Sequence, residues 1–85
     1  MKQAKGIEIN LNIMFGKPVI AGTRIPVETI LEKLAAGQTT EEILLDFPKL
    51  TNEDIRTVLD YANRLVKKVS PVQDHGQVTL HKISR

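Results

Sequence analysis

The chain contains no cysteine. Disulfides, thiolate nucleophiles and cysteine-bound zinc are therefore all excluded. Histidine is scarce as well. His75 and His81 are the only imidazoles, and their six-residue separation fits a helical metal pair poorly. No apolar run approaches the roughly 18–20 residues of a membrane span, and the first six residues lack the apolar stretch of a signal peptide. A membrane role is thus not expected, and a cytoplasmic location is. Glycine-rich phosphate loops are missing too. Gly16-Lys17-Pro18 loses an amide to proline, and Gly22-Thr23-Arg24 does not lead into a helix through a glycine nest. No cofactor and no catalytic group are expected from these residues.

What remains is 85 residues and 9.5 kDa, enough for one small domain. With 41% hydrophobic and 26% charged residues the chain is globular. Folding at this size buries only about 60–65% of the unfolded surface, so a partner chain is the expected staple. The net charge of +2 hides a pattern. Residues 1–26 carry +3, residues 27–60 carry −5 and residues 61–85 carry +4. The cations that phosphate binding needs therefore lie at the two ends.

Ile7 to Ile13 alternates apolar and polar residues, the period of a half-buried strand. Phe15 to Pro18 reads as a turn, Val19-Ile20-Ala21 as a short apolar run closed by Gly22-Thr23. A first helix is expected over about Pro26–Ala36. Its apolar stripe is Val27, Ile30, Leu31 and Leu34, and Gly37 supplies the left-handed stop. Thr39 with Glu42 forms a capping-box pattern for a short second helix, whose buried face is Ile43, Leu44 and Phe47 and whose stop is Pro48. Thr51 caps a third helix with Asp54 at N3, and Leu50 can staple against Ile55. A long stripe follows at Ile55, Val58, Leu59, Ala62, Leu65, Val66 and Val69, ended by Ser70-Pro71. Residues 71–85 form a tail, with β-leaning composition over Val78–Ile83.

The expected fold is mostly α with a small β component: a helix-turn-helix domain over residues 1–70, in which a short β-hairpin precedes a three-helix core of the winged-helix or homeodomain-like type. The third helix opens with Asn52-Glu53-Asp54, which suits its dipole and opposes a phosphate backbone. DNA or anion contacts are therefore assigned to Lys17, Thr23, Arg24, Lys49 and Arg56, acting through charge more than base readout. Gly16, Pro18, Gly22, Pro26, Gly37 and Pro48 are the candidate structural positions.

Gly16-Lys17-Pro18-Val19-Ile20 and Gly22-Thr23-Arg24-Ile25-Pro26-Val27 together resemble the domain of unknown function 433 family. So do Leu34–Gly37, Glu41–Pro48, Leu50-Thr51, Glu53–Ile55 and Tyr61-Ala62. The likeness spans roughly residues 7–66. Asn12-Ile13-Met14-Phe15 departs from it, where the family often has a proline and paired glycines. The resemblance implies a winged-helix or homeodomain-like fold and a prokaryotic source. It also implies a VapB-type antitoxin role beside a PIN-like nuclease toxin, with promoter DNA binding. A homodimer is expected from the small core and unpaired strand edges. The other reading left open by the residues is a protein–protein assembly module that binds no DNA.

Overall fold

The computed structural model describes residues 5–69, and the tail, with His75, His81 and the β-leaning Val78–Ile83 segment, lies outside them. The chain runs β1 (Ile7–Glu8), a 3-10 turn over Met14–Gly16, β2 (Val19–Ile20), α1 (Val27–Ala35), α2 (Thr40–Asp46) and α3 (Asn52–Val69). The strands pair antiparallel with Ile7 opposite Ile20 and Glu8 opposite Val19. Each pair of helices is in contact, and β1 lies against α3. This is the expected α-rich trihelical core with an N-terminal hairpin.

The alternation over residues 7–13 yields far less strand than it promises. β1 ends after Glu8, because the Ile13 amide turns back to the Asn10 carbonyl and the Asn12 amide bonds the Asn10 side chain. Asparagine offers the backbone a local partner in place of a ladder. Leu11 is left in solvent, so this part of the pattern was a coincidence of composition.

The helix boundaries follow their caps. Pro26 stands just outside α1 instead of opening it, and the first helical amide, of Val27, donates to the Pro18 carbonyl. At the far end the Gln38 amide reaches Lys33 and the Gly37 amide reaches Leu34, both at 3.0 Å. This is a Schellman closure, which requires the left-handed φ of +96° at Gly37. The α2 capping box is complete: Glu42 N–H donates to Thr39 Oγ1 at 3.1 Å and Thr39 N–H to Glu42 Oε1 at 2.8 Å. A second reciprocal pair caps α3. Asp54 N–H donates to Thr51 Oγ1 at 3.2 Å and Thr51 N–H to Asp54 Oδ2 at 2.9 Å.

The core is Ile20, Val27, Ile30, Ile43, Leu50, Ile55 and Val58. Leu50 and Ile55, on either side of the α3 cap, both enter it, as the staple requires. Leu44 and Phe47 are only half-buried. The α3 stripe is buried at its start alone. Leu59, Leu65, Val66 and Val69 are exposed, because α1 and α2 are too short to run alongside all 18 residues of α3.

Candidate functional site

The Gly22-Thr23-Arg24 turn is built by one hydroxyl. Thr23 Oγ1 donates to the Ile20 carbonyl at 2.6 Å and accepts from the Ile25 amide at 3.0 Å. The Thr23 amide donates to the same Ile20 carbonyl, and Ile20 N–H donates to Ile25 C=O at 3.0 Å. Gly22 provides the positive φ of +80° that folds the chain back, and a Val19–Pro26 bridge closes the base. Thr23 is thus occupied within the turn, and its bonds hold Arg24 outward at the surface.

Arg24 faces an open groove of about 510 Å³ that is also lined by Glu8, Ile13, Gly22, Thr23, Ile25 and Lys49. Lys49 comes from the α2–α3 turn, so the groove joins the hairpin to the helix-turn-helix unit. Neither the Arg24 nor the Lys49 side chain has an ion-pair partner among the described residues. Glu8 contributes the opposing charge. Its carboxylate accepts the Gly22 amide at 3.5 Å, the long limit of a hydrogen bond.

The remaining cations assigned from the sequence are elsewhere. Lys17 pairs with Glu28 at 2.8 Å, and that hydrogen bond and charge, with Glu32 adding a smaller share, raise its pKa above 10.5. Arg56 lies 3.6 Å from Glu53 on the exposed face of α3. The Lys5 ammonium donates to the Lys49 carbonyl at 2.9 Å and stands 3.7 Å from Asp54. Lys5 therefore anchors the turn that carries Lys49.

Asp54 corrects the charge reading of α3. It is fully buried, and takes bonds from the Thr51 amide and hydroxyl and from the Lys5 amide at 2.9 Å. Only Asn52 and Glu53 of the opening acidic triplet meet solvent. The clue was present in the sequence, since a Thr-x-x-Asp cap points its carboxylate back at the backbone. Glu8, Ile13 and Ile25 were not identified as groove residues. Only the alternation at Glu8 hinted at an outward side chain, and the groove itself arises from contacts distant in sequence.

The described residues hold no group of three or more His, Cys, Asp or Glu placed to hold a metal ion, and no buried side-chain polar atom there lacks a partner. No described helix is long and apolar enough to cross a membrane.

A crystal structure of a DUF433 member protein from Anabaena variabilis superposes with a TM-score of 0.69 at 29% sequence identity, covering 78% of this chain and 65% of that one. The uncharacterized protein y4eO of Sinorhizobium fredii is 41% identical over 51 residues, which are 60% of this chain and 23% of that protein. The chain thus spans about a quarter of that relative's length. The family model described as protein of unknown function (DUF433) matches residues 7–62, well over half of the chain, and the chain belongs to that family.

Proposed function

We propose that the protein is a non-catalytic helix-turn-helix module that grips the phosphate backbone of nucleic acid as a homodimer, in the role of antitoxin to a PIN-like nuclease. The observation that carries the nucleic-acid part is the placement of Arg24 and Lys49. Two exposed cations, free of ion pairs, flank one groove, although they are 25 residues apart in the chain. A guanidinium and an ammonium so placed suit phosphate oxygens, and neither is set at the start of α3 where base edges would be read. Binding through charge alone is the expected mode. The antitoxin part extends the family resemblance: exposed Glu32, Glu41 and Glu53 on the outer faces of the helices supply negative charge toward a cation-lined nuclease.

Fluorescence anisotropy on the chain's own promoter and on an unrelated duplex tests the first part. A dimer with four to six phosphate contacts gives a log–log salt slope near −4 to −5. The Arg24→Ala/Lys49→Ala double variant should reduce that slope and weaken binding without changing the oligomeric state. Absence of any salt-sensitive complex refutes the nucleic-acid role. Failure to co-purify with, or to silence, a nuclease encoded beside it refutes the antitoxin role.

The exposed apolar stripe of α3 favours a second reading, an assembly module without nucleic-acid binding. In that case neither duplex forms a salt-sensitive complex with the unaltered chain or with the double variant.

A further inference from the structure

Phosphate binding alone does not account for one residue of the cationic groove, Glu8. In β1 the Ile7 side chain packs against the core, so alternation sends Glu8 to the other face, where it lines the groove with Arg24 and Lys49. Among the described residues Glu8 pairs with no cation, and its carboxylate accepts only the Gly22 amide, at 3.5 Å. The turn does not depend on that bond, since Thr23 Oγ1 already closes it with bonds of 2.6 and 3.0 Å. A carboxylate accepts about four hydrogen bonds. Most of that capacity is therefore open.

A groove that served phosphate alone would bind it better without this negative charge. Two cations ask for anionic oxygens, and one carboxylate asks for N–H donors. Ile13 and Ile25, both half-buried, add an apolar lining. A nucleotide whose base carries an exocyclic amine has all three matching features: phosphate oxygens, an amine edge and a flat face. The groove volume of about 510 Å³ is that of a small-ligand site. In a duplex the face of a base is stacked on its neighbours, so a base laid on isoleucine comes from an unpaired strand.

We infer that the groove takes one nucleotide of an unpaired strand, with phosphate oxygens on Arg24 and Lys49 and the exocyclic amine of cytosine or adenine donating to Glu8. Phosphate contacts choose no base. A carboxylate does, because it accepts from an amine and repels a carbonyl set in the same place. Cytosine and uracil differ in this way, the first with an N4 amine and the second with an O4 carbonyl. This rests on the phosphate reading of Arg24 and Lys49 above and adds a base preference, set by Glu8.

Fluorescence anisotropy of the full chain with oligo(dC) and oligo(dU) of equal length compares two ligands of the same charge, at mildly alkaline pH where cytosine stays neutral. The cytosine strand should bind about five- to tenfold more tightly. Glu8→Gln keeps the shape and removes the charge. It should bring the ratio within about twofold, chiefly by tightening the uracil strand, because an amide both donates and accepts. A damaged fold weakens both strands and tightens neither. The same pair in RNA form shows which backbone is preferred, and a cytosine preference in either form supports the inference. Equal binding of the two strands by the unaltered chain overturns the base contact. A preference that survives Glu8→Gln overturns the part assigned to Glu8. Binding of neither strand overturns the inference altogether. In each of these cases a salt-sensitive duplex complex that Arg24→Ala/Lys49→Ala weakens would leave the phosphate reading intact, so the two failures are separable.

Discussion

The two halves of α3 carry one continuous apolar pattern and live in different surroundings. At the N-terminal end Asp54, Ile55 and Val58 are buried, the carboxylate tied to Thr51 and Lys5 and the two apolar side chains set among Ile20, Ile30 and Ile43. At the C-terminal end Leu65, Val66 and Val69 meet water. Periodicity says which residues share a face. It does not say whether anything lies against that face.

Substitutions at the two ends would break or sharpen this contrast. The largest effect is expected at Asp54. Asp54→Ala removes a cap and strands the amides of Thr51 and Lys5, at a cost of about 3 kcal/mol. Urea unfolding with an unchanged m-value would show it, and a loss below about 1 kcal/mol would place the anchoring of the N-terminal segment elsewhere. Next comes a matched pair of truncations. Val58→Ala should cost about 2 kcal/mol, as a fully buried valine losing two methyl groups. Val66→Ala in dilute, monomeric protein should cost less than about 0.5 kcal/mol. Equal costs would mean that the second half of the stripe is covered within the monomer.

The smallest effect is a gain, in the turn before β2. Met14 and Phe15 hold left-handed φ values of 49° and 58°, and the Phe15 side chain is 92% exposed. A bulky L-residue in that region costs roughly 1–2 kcal/mol, while glycine adds backbone entropy to the unfolded chain. Phe15→Gly should therefore stabilise by about 0.5–1 kcal/mol, read as a small rise in Tm. A loss would show that exposure is a poor guide to this side chain's worth, and would weaken the same argument at Val66.

Much of the fold was legible residue by residue. The Thr39–Glu42 and Thr51–Asp54 caps, the Gly37 closure and the Leu50–Ile55 pair all act within a few positions of one another. Their geometry follows from local backbone chemistry. The strand expected over residues 7–13 is reduced to Ile7–Glu8 for a related reason. Alternation needs a neighbouring strand to become a ladder, and β2 offers two residues.

The candidate site was legible only as types of residue. Arg24 and Lys49 stood out as cations, yet their shared groove depends on the turn that Thr23 closes and on the Lys5 bond to the Lys49 carbonyl. Lys17 and Arg56 stood out equally and are held by Glu28 and Glu53.

By itself, then, the sequence determined where helices start and stop and which face of each is apolar, because caps and periodicity are short-range and repeat with the backbone. The full burial of Asp54 under the Lys5 segment, the pairing of Lys17 with Glu28 while Arg24 and Lys49 share a groove, and the exposure of the second half of α3 were decided by tertiary packing. Those outcomes depend on distances between groups far apart in the chain, and on helix lengths that leave part of one face with no partner among the described residues.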